Sequence, residues 1–305
     1  MSAVQPGLGA PPSSAARGAP PEPHDAATPA SDPHPFDADR RFATPARLLV
    51  KLGGRVQQDA ALPAALAALC AARPGSVVLV HGGGDEVSAL QRAMGLEPRF
   101  VGGRRVTGER DVELVRMALS GTSNKRLVAA LLSAEVPAVG VSGEDAELIL
   151  AEVHHPAFGR VGRVRRVDPR LLEVLLAAGY VPVVSPLGRD AEGGGPLNVN
   201  GDDAAAAVAA ALDVDEVLFL ADVPGVLDDA GAVIPALDAD AARALVAAGV
   251  AVGGMAAKLE AALAALAGGV RRARIGGLGA LADAAAGTQV TLAPAGAPLA
   301  HPSVA

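Results

Sequence analysis

Four consecutive apolar residues, Val77-Val78-Leu79-Val80, run into His81 and then into three glycines, Gly82, Gly83 and Gly84. A β-branched run of this length that stops in glycines reads as a buried parallel strand whose carboxyl end enters a loop without side chains. Val87, Leu90 and Met94 follow at helical spacing, so Asp85 or Glu86 opens a helix. Glycines placed between a strand end and a helix amino terminus let backbone N–H groups converge with the positive end of the helix dipole. Their missing Cβ atoms let an anion reach the main chain. The stretch reads as an anion cradle, with a tight turn needing positive φ as the plainer alternative.

The same grammar recurs along the chain. Arg47-Leu48-Leu49-Val50-Lys51-Leu52 also enters paired glycines, Gly53 and Gly54. A helix from about residue 59 to 72 joins the two strands, and such a unit implies a right-handed crossover in a parallel sheet. Further on, residues 111–134 read as a long helical region interrupted at Gly121, residues 136–141 as a strand, and residues 148–167 as a β-hairpin excursion off the main sheet. A helix over 169–179 has Pro in its first turn and Gly past its end. Strands are expected at 180–186, 216–223, 273–275 and 289–292, and helices from Asp202 to Leu212, over 239–249 and after Gly253-Gly254. The fold class is therefore α/β, an open and mainly parallel sheet sandwiched by helices. Half of the 305 residues are apolar, enough for a large core. Residues 1–42, rich in Pro, Ala, Gly and Ser without hydrophobic period, read as a disordered tail.

A net charge of −7 and the lack of a Lys/Arg-dense tract argue against nucleic acid as a partner. The one cysteine, Cys70, falls in an apolar helical pattern with Leu62, Leu66 and Leu69, as a core residue in a reducing compartment would. No apolar run approaches the roughly 18 residues of a membrane span, and no signal-peptide pattern is visible. The expectation is a soluble cytoplasmic protein.

Chemistry concentrates where glycines meet lysines. Three glycine clusters, at Gly53-Gly54, Gly82 to Gly84 and Gly253-Gly254, each follow a strand or precede a helix, and in an open α/β sheet such loops share the crevice beyond the strand ends. Lys51 precedes the first cluster by two residues and Lys258 follows Gly254 by four. Neither a P-loop nor a dinucleotide fingerprint is present. What remains is a phosphate site built from separate glycine loops and separate lysines, and phosphoryl transfer is mostly positioning and charge neutralisation. Asp202, with Asp203 beside it, opens the alanine-rich helix, where capping is the plain reading. Asn198 and Asn200 precede it at alternate positions, so two carboxamides and a carboxylate line one face. Arg105 can fork onto a carboxylate, although Arg104 beside it suits a solvated surface. Asn124-Lys125 reads as a structural or surface feature.

These residues resemble a known family. VKLGG from Val50, VHGGG from Val80, RVT from Arg105, GTSNK from Gly121, GVSGEDAELI from Gly140, VGRV from Val161, LNVNGDDAA from Leu197, ADVPGVL from Ala221 and GGMAAKLEAA from Gly253 stand in the order found in the acetylglutamate kinases of the amino-acid kinase superfamily. The resemblance implies an amino-terminal lobe, residues 43–190, for the acyl-amino acid and dimerisation, and a carboxyl-terminal lobe, residues 191–305, for ATP with Mg2+. It implies that Lys51 and Lys258 neutralise the transferring phosphoryl group and that Asp202 orients both. Gly53, Gly54, Gly82 and Gly83 would donate N–H groups, while Arg105 and Asn198 would hold the substrate. Asp222, Gly225 and Gly254 would serve the nucleotide; no protein-held metal is implied. The reaction would give an acyl phosphate from N-acetyl-L-glutamate in arginine biosynthesis. A carboxylate needs no general base, so His81 is read as shaping its loop.

The chain departs from the pattern at Gly201, where Ala is usual, at Arg163, where an acidic residue is common, and around Ile275-Gly276-Gly277. The Pro-rich tail stands where arginine-inhibited members resemble one another in an amphipathic helix, so weak or no arginine inhibition is expected. A homodimer is carried over from the family. A same-fold kinase acting on carrier-bound aminoadipate or glutamate is the nearest rival, followed by a non-catalytic effector-binding protein. A dehydrogenase would need a fingerprint this chain lacks.

Overall fold

The computed structural model describes residues 46–101 and 104–292, and the expected tail and the arginine expectation that depends on it lie outside them. In chain order the first half runs β1 (Leu48–Leu52), α1 (Leu62–Ala72), β2 (Val77–His81), α2 (Gly84–Ala93), β3 (Arg99–Val101), β4 (Arg104–Val106), α3 (Glu109–Arg116), α4 (Asn124–Ser133) and β5 (Ala138–Ser142). There follow β6 (Ile149–Val153), β7 (Val161–Val167), α5 (Arg170–Ala177), β8 (Val181–Ser185), β9 (Leu187–Asp190), β10 (Pro196–Val199) and α6 (Gly201–Ala211). The remainder comprises β11 (Glu216–Leu220), β12 (Ala236–Asp238), α7 (Ala239–Ala247), α8 (Gly254–Ala267), β13 (Arg272–Gly276) and β14 (Thr288–Thr291).

Eight strands form the central sheet in the order β12-β14-β13-β11-β1-β2-β8-β5. Its pairs are parallel except β13 with β14. The strands are apolar on both faces because both are covered. Leu48, Val50 and Leu52 of β1 pack with α1 and α4, whereas Leu49 packs with α6 and α8. Alternation along β1 then puts Lys51 on the α6 face. α6 and α8 lie against one another through alanines, and a Cβ at Gly268 would meet Ala210 Cβ at 2.8 Å, so small residues set that close approach.

Three expectations are refined. The hairpin of β6 and β7 exists, but β9 and β10 close it into a small four-stranded barrel. The division expected at 190/191 falls between β9 and β10, which pair antiparallel. Gly121 does not interrupt its helix: residues Met117–Ser123 form a π-helical turn that joins α3 to α4 without a break. Such widened turns recur beside functional sites, and this one packs under the Gly82–Gly84 loop through Leu119 and Ser123. The helix after β1 starts at Leu62 rather than 59, with Pro63 in its first turn.

Candidate active site

Lys51 is the fourth residue of a five-residue strand and only 6% exposed. On its face of the sheet stands the first turn of α6, whose cap is Asn200: the Asn200 carboxamide oxygen accepts from the N–H groups of Asp202 (2.8 Å) and Asp203 (3.2 Å). The plain reading of Asp202 as the cap is thus displaced, and its carboxylate is left to face the lysines. Lys51 Nζ lies 2.8 Å from Asp202 Oδ1 and Lys258 Nζ 3.6 Å from Oδ2. Lys258 also donates to Gly254 O at 3.3 Å. Burial and the neighbouring Lys51 hold the Lys258 ammonium below the usual lysine range, while Asp202 and Asp222 pull it back up. Two cations share one carboxylate in a largely dry setting, so the cluster carries surplus positive charge that favours an anionic ligand.

The glycine loops abut this cluster. A Cβ on Gly82 would lie 3.9 Å from Lys51 Nζ and 3.8 Å from Gly54 N, and one on Gly201 would lie 3.4 Å from Lys51 Cε. Three helices begin here on glycine, α2 at Gly84, α6 at Gly201 and α8 at Gly254, so three dipole-positive ends surround the lysines. At Gly83 a Cβ would collide with Leu119 Cδ2 at 2.7 Å, and Gly253 adopts φ 54° ahead of α8. Both positions demand glycine, Gly253 through its handedness and Gly83, at φ 157°, through its backbone conformation and the close approach together.

His81 is fully buried and faces α4, away from the lysines. Its Nδ1 donates to Gly82 O at 2.7 Å, and its Nε2 accepts from Asn124 Nδ2 at 3.2 Å. Burial pushes its pKa down to about 4, so the ring is neutral near pH 7. Gln57 Nε2 donates to the same Gly82 carbonyl (3.1 Å) and to Gly53 O (3.3 Å), tying the two glycine loops together. Because C=O and N–H of a trans peptide point oppositely, pinning Gly82 O directs the Gly83 N–H away from both side chains.

Two regions of free space adjoin the cluster. One, of about 180 Å³, is lined by Gly82, Gly83, Gly84, Phe100, Arg104, Arg105, Leu119, Asn198, Asn200 and Gly201. Arg105 is held here by Gly84 O (2.7 Å), Ser88 Oγ (2.8 Å) and Gln91 Oε1, with the Phe100 ring 4.7 Å from its Cζ. Asn198 donates to Thr107 Oγ1 at 3.0 Å, and Arg104 pairs with Asp203 at 3.1 Å. The other, of about 370 Å³, is lined by Gly53, Gly54, Arg55, Asp222, Gly254 and Lys258. It shares Arg55, Val56, Ala221, Asp222 and Val223 with a neighbouring cavity of about 360 Å³ that reaches Gly277 and Ala280. Arg55 donates to Asp222 at 2.9 Å, which lowers the Asp222 pKa.

Of the residues singled out from sequence, Lys51, Asp202 and Lys258 come together, with Gly53, Gly54 and Gly254 on the larger cavity and Gly82, Gly83, Arg105 and Asn198 on the smaller. Asp222 lines both larger cavities. Gly225 is buried behind them, where a Cβ would meet Val233 Cγ1 at 2.7 Å and Thr288 Oγ1 at 2.9 Å. Arg163 pairs with Glu152 across the exposed hairpin, away from either cavity. Gln57, Gln91 and Arg55 were missed; Gln57 alone had a signal, its place four residues after Gly53.

A buried aspartate between two lysines, with one cavity reaching Lys258 and another bounded by Gly82 and Gly201 beside Lys51, at the carboxyl ends of a parallel sheet, marks a phosphotransferase built without a P-loop. The chain belongs to the amino acid kinase family, whose model matches residues 46–277. It is 45% identical over 249 residues to the acetylglutamate kinase of Chloroflexus aurantiacus, covering 80% of this chain and 96% of that one. It is 45% identical over 231 residues to the acetylglutamate kinase of Roseiflexus castenholzii, covering 75% and 88%. Among solved structures it resembles smu.665 of Streptococcus mutans (TM-score 0.73, 29% identity, 81% of this chain and 98% of that one). The Giardia lamblia carbamate kinase bound to citric acid shares the fold at a TM-score of 0.64 and 17% identity, over 82% and 99%.

Proposed function

We propose that this chain is an acetylglutamate kinase, transferring the terminal phosphoryl group of ATP to the side-chain carboxylate of N-acetyl-L-glutamate in arginine biosynthesis. The observation that carries the reading is the Lys51–Asp202–Lys258 cluster, set beside the glycine loops that line the two cavities. Relatives bearing that activity match almost their full length at 45% identity. The larger cavity suits a polyphosphate: a Cβ at Gly54 or Gly253 meets nothing within 4 Å, so the loops open onto free space beside a helix amino terminus and two cations. Mg2+ fits as the nucleotide's own ion. Among the described residues no three metal-ligating side chains cluster, and Mg2+ is commonly held by substrate phosphates, water and one or two carboxylates, here Asp222.

In this reading Arg105 and Asn198 fix the acceptor in the smaller cavity, so that its side-chain carboxylate meets the Gly82 and Gly83 amides beside Lys51. That carboxylate is already ionised and attacks without a general base. Lys51 and Lys258 neutralise charge on the transferring group from opposite sides, and Asp202 keeps both ammonium groups aimed. The same reading carries a homodimer and a cytoplasmic enzyme; no helix among the described residues is long and apolar enough to cross a membrane.

The test is acyl-phosphate formation, trapped as a hydroxamate, with N-acetyl-L-glutamate, L-glutamate, L-aspartate and aminoadipate. Lys258→Ala is the better control, because it leaves the closer, buried Lys51–Asp202 pair in place. Product with acetylglutamate, reduced on the order of a hundredfold or more in Lys258→Ala, is the expected result. Nucleotide binding without product from any free acid would move the reading to a carrier-bound acceptor.

A further inference from the structure

Arg105 does not reach the smaller cavity as a free side chain; it is mounted. Its Nη2 donates to Gly84 O and Ser88 Oγ, both in the first turns of α2, and its Nη1 donates to the carboxamide oxygen of Gln91. Gln91 is 1% exposed, so this carboxamide belongs to the interior. Its other end, Nε2, donates to Asp111 Oδ1 at 2.6 Å, while Asp111 Oδ2 accepts from Gly108 N at 2.9 Å and so closes the first turn of α3. A carboxamide suits this place because it accepts from a cation at one end and donates to a carboxylate at the other. A carboxylate would repel Asp111 and an ammonium would repel Arg105. The three contacts use three of the guanidinium's five N–H donors, so the same group that is held by α2 and α3 still has donors for a bound carboxylate.

We propose that Gln91 is a positioning residue for the acceptor. It sets the direction of the Arg105 guanidinium by linking it to the start of α3, and so tunes the affinity for the acceptor's carboxylate without touching the acceptor. This rests on the reading of the smaller cavity as the acceptor site. Fixing a long side chain in advance spares the ordering cost of holding it on binding.

The test is a double-mutant cycle with Gln91→Met, which keeps length and loses both hydrogen bonds, and Arg105→Ala, read by steady-state kinetics and melting temperature. Gln91→Met is expected to raise KM for N-acetyl-L-glutamate about tenfold, equivalent to about 1.4 kcal/mol, with KM for MgATP within about twofold of the native value. In the Arg105→Ala background the same substitution is expected to add nothing to KM, because its effect passes through the arginine. An unchanged acceptor KM in Gln91→Met, when Arg105→Ala raises it, overturns the inference and leaves the acceptor site standing, whatever happens to the melting temperature. Full additivity of the two also overturns it. An acceptor KM unchanged in Arg105→Ala itself overturns the reading of the cavity and the inference with it.

Discussion

His81 acts on the cleft from the far face of the sheet. The side chains of β2 alternate, so Val78 and Val80 pack on the α6 and α8 side while Val77, Leu79 and the histidine turn toward α1 and α4. Its contribution is a single N–H that anchors Gly82 O, and that requires the tautomer protonated on Nδ1, with Nε2 as acceptor for Asn124. A second proton on Nε2 would face the Asn124 amide donors, in a site whose burial already holds the pKa near 4. The unfolded chain takes that proton near 6.5 and the native one only near 4. The neutral ring therefore stabilises the fold fully above about pH 6.5, and that stability is lost progressively as pH falls toward 4. Melting temperatures measured between pH 7.5 and 4.5 should fall more steeply for the native chain than for His81→Gln, which has no titrating group there. Parallel curves would show that His81 does not carry this part of the acid sensitivity.

Glycines that look equivalent along the chain have opposite roles once the elements are in place. Gly201 is the first residue of α6, where a Cβ would rest 3.4 Å from Lys51 Cε and 3.6 Å from His81 O. That is an ordinary contact on a backbone any residue can adopt, so Gly201→Ala should stabilise by up to about 1 kcal/mol in urea denaturation and leave turnover intact. A less stable Gly201→Ala would mean that the stem of Lys51 has no room to give. Gly83 sits one residue before α2, where a Cβ would strike Leu119 of the π-helical turn. Gly83→Ala should cost about 1–3 kcal/mol and weaken acceptor binding, read as a rise in KM for N-acetyl-L-glutamate. Glycine clusters were legible in the sequence because they interrupt apolar runs. Which of them tolerate a side chain was not, because that is decided by Leu119 and Lys51, residues distant in sequence. The interruption expected at Gly121 failed for a related reason: a helix already held at both ends can widen into a π turn instead of breaking.

Across the whole molecule, the alternation of apolar runs and glycines was enough to give a parallel sheet with helices on both faces, since period and punctuation are local properties. The small barrel was not legible, because β9 and β10 are short and pair with a hairpin some distance away in sequence. Lys51 and Lys258 were legible because a lysine beside glycines is unusual. Gln57 and Gln91 were not, because a neutral carboxamide has no pattern of its own. The order β11-β1-β2 in mid-sheet brings Lys51 beside α6 and the loops that follow the neighbouring strands, so the site exists only when the sheet is complete. Cys70 offers a way to measure that dependence. It is buried on α1 in the core layer opposite α6, with Leu66 and Leu69, and burial pushes its thiol up to about 11 from an ordinary 9.0. With its thiol buried and largely protonated, Cys70 should react with a disulfide reagent much more slowly than a free thiol, and chiefly through opened forms of the chain in which the thiol regains its ordinary pKa. If α1 leaves the sheet only on global unfolding, MgATP and N-acetyl-L-glutamate together should slow labelling further, by the factor through which they stabilise the native state. Labelling at the free-thiol rate would contradict the burial of Cys70. Slow labelling that ignores both ligands would mean that α1 opens by itself, while the strands carrying the lysines stay paired.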